Sequence, residues 1–192
     1  MKNIFFIFCS ILILSSFKSD KGIIVDKLEA QKAFTLLNMI RANPENYRKE
    51  LTYKKGLKVS KITLQWNDTL AKVAEAKAFD MANRDYFSHL DPDGYGIDHF
   101  INRAGYKLNP AWLKNKSDNY FESLAAGIET GEDAIKYLII DKGNPSFGHR
   151  AHLLGLDKWN SSLKDIGIGF IKRESGGMYK TYTCIIIAKH DW

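Results

Sequence analysis

Cysteine is scarce in this chain of 192 residues, which contains only two, Cys9 and Cys184. Cys9 falls in a segment that we expect to be removed, so a single thiol remains. An exported domain with one thiol forms no internal disulfide, and its stability must come from its core. Cys184 lies in an apolar run typical of a strand, which predicts a buried, unreactive thiol rather than a nucleophile.

Long hydrophobic runs are absent after the first fourteen residues. Residues 4–14 are almost continuously apolar, with Lys2 before them and serines after them. This order predicts a secretory signal peptide over residues 1–19, because the run is short for a membrane span. An uncleaved membrane anchor is the alternative. With cleavage we expect a secreted or periplasmic protein that has no stable membrane span.

A strong charge of either sign is missing as well. The chain has 28 Lys and Arg against 22 Asp and Glu, and Lys2 and Lys18 of this excess lie in the predicted signal peptide. The remaining basic residues are spread along the chain, which argues against nucleic-acid binding. Long-range attraction to an anionic cell wall or lipid surface stays open.

Three catalytic or metal-binding motifs are absent. No serine lies in a Gly-x-Ser-x-Gly turn, which argues against the nucleophile of an α/β-hydrolase. No His-Glu-x-x-His run is present. Asp91 and Asp93 are spaced like the first ligands of a calcium loop, but the rest of that loop is missing, so we predict a turn there.

Helical periodicity occupies the first two thirds of the chain. Apolar residues recur every three or four positions after Asp26, Asn67 and Thr130, each a favourable residue to begin a helix. We predict helices over 26–41, 44–51, 67–84 and 97–104, another after Thr130, and a short helical turn over 147–154.

The last quarter of the chain predicts strands instead. Ile166, Ile168 and Phe170 alternate with Gly167 and Gly169, and a Ser-Gly-Gly turn separates them from the β-branched run 179–188. This pattern indicates a β-hairpin, whose glycines leave room for a close neighbour. With a further short strand over 120–126, the order predicts one α+β domain over 26–190 with a small antiparallel sheet.

Three polar residues stand beside predicted element boundaries: His89, Glu122 and His149. Two imidazoles and a carboxylate are a suitable ligand set for zinc, with one position left for a water molecule. Alternatively, the three side chains hydrogen-bond one another and hold helix ends to the sheet. Glu122 and Asp141 would form a third arrangement, a carboxylate pair for glycoside hydrolysis.

Two residues near His149 have simpler expected roles. Arg150 follows it directly and is expected to form a salt bridge, although it could also meet an anionic ligand. His152 comes three residues later, on the same helical face. It is a possible substitute ligand, and we expect it to be a partly exposed surface histidine.

Five short motifs occur in an order that resembles the CAP superfamily of SCP-like extracellular domains, in particular its bacterial branch. The resemblance extends over most of the chain, from about residue 36 to residue 187. The motifs are Leu37-Asn38 with Arg41, Leu64-Gln65-Trp66-Asn67, Phe87-Ser88-His89 with Pro92-Asp93-Gly94, Gly148-His149-Arg150, and Ile166-Gly167-Ile168-Gly169.

The resemblance implies a three-layer α–β–α sandwich and a cleft with two histidines and two acids. By position, the cleft residues are His89, His149 and Glu122, and either Asp141 or Ile140 stands at the fourth position. Several members of the family bind a divalent metal in this cleft. The resemblance therefore implies a metal site at His89, His149 and Glu122, with zinc as the first choice.

Two functions remain open on the sequence. The first is a secreted, non-catalytic module that binds a lipid, a sterol or a cell-wall component through the cleft. The second is a metal-dependent hydrolase that acts on peptide or glycan. We favour the binding module, because no nucleophile can be identified and the second acid has no clear position.

Overall fold

The structure is a computed structural model that describes residues 22–190. The predicted signal peptide, 1–19, lies outside that range. The α-helices within it are α1 (Lys27–Ala42), α2 (Pro44–Tyr47), α3 (Asp68–Arg84), α4 (Ile97–Arg103), α5 (Gly131–Ile140) and α6 (Gly148–Leu154). The strands are β1 (Ile23–Val25), β2 (Gln65–Trp66), β3 (Glu122–Ala126), β4 (Asp165–Arg173) and β5 (Thr181–Ala188), and short 3₁₀ helices occupy Pro110–Trp112 and Asn160–Ser162.

The three longest helices begin where the sequence predicts. The side chains of Asp26, Asn67 and Thr130 accept hydrogen bonds from backbone N–H groups in the first turns of α1, α3 and α5. These bonds satisfy donors that a helix start otherwise leaves unpaired. Among residues 22–190, no helix is both long and apolar enough to cross a membrane.

The sheet confirms the α+β prediction and adds two strands to it. Its order is β1-β4-β5-β3, with antiparallel pairing throughout, and β2 pairs with β4 in parallel. The predicted hairpin is β4 and β5. Strands β1 and β2 have three and two residues, which is too short for an alternating pattern to be visible in the sequence.

Helices cover both faces of the sheet, as the expected three-layer sandwich requires. Gly167 and Gly169 of β4 face α3 so closely that a Cβ on Gly167 would lie 2.1 Å from the backbone nitrogen of Ala71. The alternate residues of β4 point to the other face, where α1 and α5 pack against the sheet and each other. The face of β4 that carries these two glycines, predicted to leave room for a close neighbour, is therefore the face that contacts α3.

Strand β5 forms the centre of the core. All eight of its residues are buried, and Cys184 within it is fully buried. Burial raises the pKa of its thiol well above the usual value, helped by the nearby Glu122 carboxylate. The prediction of a buried, unreactive thiol is therefore confirmed.

Candidate functional site

The first candidate residue, His89, is paired with Glu122. Helix α3 ends at Asp85, which adopts the left-handed conformation, and His89 follows in the turn. Its Nδ1 lies 2.7 Å from Oε2 of Glu122, whose side chain is fully buried while that of His89 is 47% exposed. In the neutral imidazole, Nδ1–H donates to the carboxylate and Nε2 is left for a second partner.

Two further contacts fix this pair. The buried Lys77 on α3 donates from Nζ to the carbonyl oxygen of His89 at 3.1 Å and to the hydroxyl of Tyr86 at 3.3 Å. The Cys184 thiol donates to the other oxygen of Glu122, at 3.5 Å. Both carboxylate oxygens of Glu122 thus have partners inside the protein. Lys77 could have been suspected from the sequence, because it interrupts the apolar face of α3.

The second histidine, His149, is paired with Asp141 rather than with Glu122. Asp141 ends α5 in the left-handed conformation. Its Oδ1 lies 2.8 Å from Nδ1 of His149, and its Oδ2 accepts the backbone N–H of His149 at 3.0 Å and of Arg150 at 3.3 Å. One buried carboxylate therefore orients His149 and caps the start of α6. Of the two alternatives at this position, Asp141 and not Ile140 meets His149.

Two sequence-based expectations near His149 are wrong. Arg150 forms no salt bridge with the described residues and instead donates to the carbonyl oxygens of Ile139 and Ile140, at 2.6 and 2.7 Å. Its guanidinium caps the end of α5, where helix carbonyls lack partners. His152 is buried, not a surface residue, and its Nδ1 lies 2.7 Å from the Ser123 hydroxyl. The contact with Ser123 places His152 against β3.

The two acid–histidine pairs lie on opposite faces of the sheet. Glu122 stands in register with Ile186 and Gly167, so it points to the α3 face. The next residue, Ser123, points to the other face, where it meets His152 of α6. Because β3 is at the edge of the sheet, the pairs flank this edge strand, and one histidine lies to each side.

This geometry does not assemble the three-ligand zinc set His89, Glu122 and His149. Across residues 22–190, no group of three or more His, Cys, Asp and Glu side chains is placed to hold a metal ion. Each imidazole uses Nδ1 to bind its own carboxylate. Zinc binding therefore stays a prediction, and the function proposed below does not depend on a metal.

A third buried acid, Asp98, was not predicted as part of the site. It lies in the first turn of α4 and accepts the backbone N–H of Tyr120 at 3.0 Å. Burial raises its pKa to about 7, and the neighbouring carboxylates of Asp118 and Glu122 add to the rise. A single Asp at a helix start usually indicates a cap, so its burial beside Glu122 has no sequence signature.

The burial of His152 gives a pH-dependent stability that can be measured. Burial lowers its pKa from 6.5 to about 4, so the unfolded chain binds a proton that the folded chain does not. Above pH 6.5 His152 is neutral in both states and costs no stability. As the pH falls from 6.5 to 4, proton uptake by the unfolded chain lowers the free energy of unfolding, by about 3 kcal/mol in total. We expect urea unfolding of the wild type to show this loss relative to His152→Gln.

Asp98 has the opposite effect on the pH dependence of stability. Because its pKa is raised in the folded chain, it lowers the free energy of unfolding as the pH rises from 3.8 to 7. The comparison with His152→Gln isolates the histidine, because Asp98 is present in both proteins. Equal pH profiles for the two proteins would show that His152 is protonated in the folded state as readily as in the unfolded chain.

An apolar cavity adjoins the His89 turn. Its volume is about 490 Å³, and it lies between α3 and α4. Val73, Ala76, Phe100 and Ala104 supply its apolar wall, and six charged residues with Tyr86 complete the lining. Lys77, which holds the His89 carbonyl, also lines it. The side chains of His89, Glu122, His149 and Asp141 do not line this apolar cavity.

The fold and the site define a three-layer α–β–α domain with an acid–histidine pair on each side of its edge strand. Residues 34–186 match the model of the cysteine-rich secretory protein family, CAP. The match spans most of the chain, so the chain belongs to this family. The resemblance expected from the motifs is thereby confirmed.

Three similar proteins come from bacteria. YkwD of Bacillus subtilis is 30% identical over 126 residues, which are 66% of this chain and 39% of that protein. An extracellular protein with an SCP domain from Bacillus anthracis has 23% identity and a TM-score of 0.51, over 85% of this chain and 41% of its own. An outer surface protein of Borrelia burgdorferi has 19% identity and a TM-score of 0.52, over 84% and 96%.

The chain thus spans about two fifths of the length of the two Bacillus proteins. At these identities, the two solved structures show a shared fold and nothing about the ligand.

Proposed function

We propose that this protein is an extracytoplasmic, non-catalytic binding module that takes the apolar part of a lipid or sterol between α3 and α4. The observation that carries the proposal is the apolar cavity. Its volume of about 490 Å³ lies within the range of small-molecule sites, ~300–1,000 Å³. An apolar wall beside charged side chains suits a ligand whose body is apolar and whose end is polar.

The candidate nucleophiles support a binding role rather than covalent catalysis. Ser123 is buried, and its hydroxyl is 2.7 Å from the buried His152. Cys184 is fully buried with a raised pKa, so its thiol is not ionised near neutral pH. Neither group can reach a substrate at the surface, although nucleophilic catalysis requires that contact.

The location outside the cytoplasm is supported by the sequence and by the relatives. The predicted signal peptide would export the chain. One similar solved protein is described as extracellular and another as an outer surface protein. A module in that location meets membrane lipids and the cell wall, which are the ligand sources proposed on the sequence.

Filling the cavity tests the proposal. Ala76 is exposed on α3 and lines the cavity, so Ala76→Trp should occupy it without disturbing the core. We expect the neutral apolar dye N-phenyl-1-naphthylamine to bind the wild type at one site. Binding to Ala76→Trp should be at least about tenfold weaker, a loss of ~1.4 kcal/mol, as measured by fluorescence titration.

The matched control is Ala42→Trp, because Ala42 is also exposed but lies at the end of α1, away from the cavity. It should bind the dye as the wild type does. Equal affinities for wild type and Ala76→Trp would place the dye elsewhere and contradict the proposal.

A hydrolase remains the second candidate because of one observation. The buried Glu122 carboxylate orients the half-exposed His89 at 2.7 Å, which is the relation between a general base and the group that positions it. The expected result is no hydrolysis of peptide or glycan substrates by the wild type. Hydrolysis that disappears in Glu122→Gln would favour the enzyme, and metal analysis of the same samples would test the predicted zinc.

A further inference from the structure

A second concave surface lies on the other side of α4 and is basic. This basic groove has a volume of about 330 Å³ and is formed by α4 and the segment 113–116. It contains three cationic side chains, Arg103, Lys114 and Lys116, and its other lining residues include no carboxylate. Its remaining lining residues are Tyr95, His99, Asn102, Leu113 and Asn115.

The nearby carboxylates have partners that keep them away from a ligand. Asp93 binds Arg84 at 2.7 Å. Asp118 accepts the backbone N–H of Asn115 at 2.8 Å, and that hydrogen bond lowers its pKa. By contrast, the Arg103 and Lys114 side chains make no hydrogen bond or ion pair with residues 22–190. The basic groove therefore keeps a net positive charge, although Lys116 donates to the Asp93 carbonyl oxygen at 3.0 Å and the charge of Lys114 acts on the nearby Asp118 carboxylate.

Arg103 lines both the basic groove and the apolar cavity. The two concave surfaces therefore meet at this residue, one apolar and one cationic. Within the apolar cavity, Asp80 and Asp91 are both within ion-pair distance of Arg84, at 2.7 and 3.5 Å. A ligand that extends from the apolar cavity into the basic groove thus meets apolar side chains first and cationic side chains next.

We propose that the ligand is a single-chain amphiphile with an anionic, phosphate-type head, whose tail lies in the apolar cavity and whose head lies in the basic groove. This inference rests on the proposed function and specifies its ligand. Charge complementarity selects the head, because the residues that line the basic groove include three cations and no carboxylate. Tyr95 adds an aromatic ring, tilted against His99 with 4.6 Å between ring centroids, and the Lys116 ammonium lies over it at 5.0 Å from its centroid.

The test compares ligands that share a tail and differ in head charge. Calorimetric titration uses dodecyl phosphate, zwitterionic dodecylphosphocholine and inorganic phosphate, each below any micelle concentration and at constant ionic strength. We expect dodecyl phosphate to bind the wild type about tenfold more tightly than dodecylphosphocholine, and inorganic phosphate to bind far more weakly than either. Added salt should reduce the difference, because exposed charges are screened.

The double variant Lys114→Gln with Lys116→Gln changes two residues that line only the basic groove, and it should reduce the preference for dodecyl phosphate to less than about twofold. Its affinity for N-phenyl-1-naphthylamine should stay within about twofold of the wild type. The matched control, Lys142→Gln with Lys158→Gln, removes the same charge from exposed positions that line neither surface. It should retain the preference, which separates a local effect from one of net charge.

Each other result contradicts the inference in a recognisable way. Equal affinity for the two dodecyl ligands, with dye binding intact, overturns the anionic head and leaves the proposed function standing. Inorganic phosphate that binds as tightly as dodecyl phosphate makes the groove a site for free phosphate and overturns the amphiphile. Failure of the dye and both dodecyl ligands to bind overturns the proposed function as well.

Discussion

Gly167→Ala is expected to destabilise the protein by about 3 kcal/mol or more, or to prevent folding, because overpacking against backbone cannot be relieved by a side-chain rotation. A Cβ at this position would lie 2.1 Å from the nitrogen of Ala71 and 2.2 Å from the carbonyl carbon of Leu70. Both atoms belong to the first turns of α3. Relief requires α3 to move away from β4 as a unit.

Urea denaturation followed by circular dichroism would measure this effect. The matched control is Gly148→Ala, since a Cβ there would have its nearest neighbour at 3.5 Å, the Ser146 hydroxyl. The control should change the free energy of unfolding by less than about 0.5 kcal/mol. A Gly167→Ala protein as stable as the control would show that α3 does not approach the sheet as closely as the structure has it.

Asp141→Ala has the second large expected effect, a loss of about 2–4 kcal/mol. The carboxylate accepts the N–H groups of His149 and Arg150 and binds the His149 imidazole, and buried donors that lose their acceptor are costly. The left-handed conformation of Asp141, with φ of 52°, adds to the loss, since Ala tolerates it less well than Asp.

Asp141→Asn is the informative comparison. Asn also tolerates the left-handed conformation, and its amide oxygen can still accept one of the N–H groups. It should therefore lose clearly less stability than Asp141→Ala in the same denaturation experiment. If both variants unfolded like the wild type, Asp141 would not be the residue that holds α5 to α6.

The parts of the fold that could be predicted from the sequence are those set by local chemistry. Asp26, Asn67 and Thr130 begin helices through bonds to the next few residues, so their effect is visible in a short window. The alternation of Ile and Gly in β4 similarly indicates both the strand and its close neighbour. Strand β2 escapes prediction because its two residues pair with β4, about a hundred positions later.

The candidate site could likewise be predicted from the sequence only in part. His89, Glu122, His149 and Asp141 were singled out by residue type and by the family resemblance, but their pairing was not determined. That pairing depends on which face of β3 carries the Glu122 side chain and on how α6 is directed relative to the end of α5. His152 illustrates the difference, because a surface position was expected for it, whereas the folded chain buries it in contact with Ser123 of β3.

The proposed function requires that an apolar ligand binds between α3 and α4 rather than at the histidines. Amide chemical-shift mapping of the wild type with N-phenyl-1-naphthylamine tests it most directly. The predicted result is that the largest shifts cluster at the cavity residues of α3 and α4, including Val73, Ala76 and Ala104. Shifts centred on Glu122, Asp141 and His149, or no saturable shifts at all, would contradict the claim.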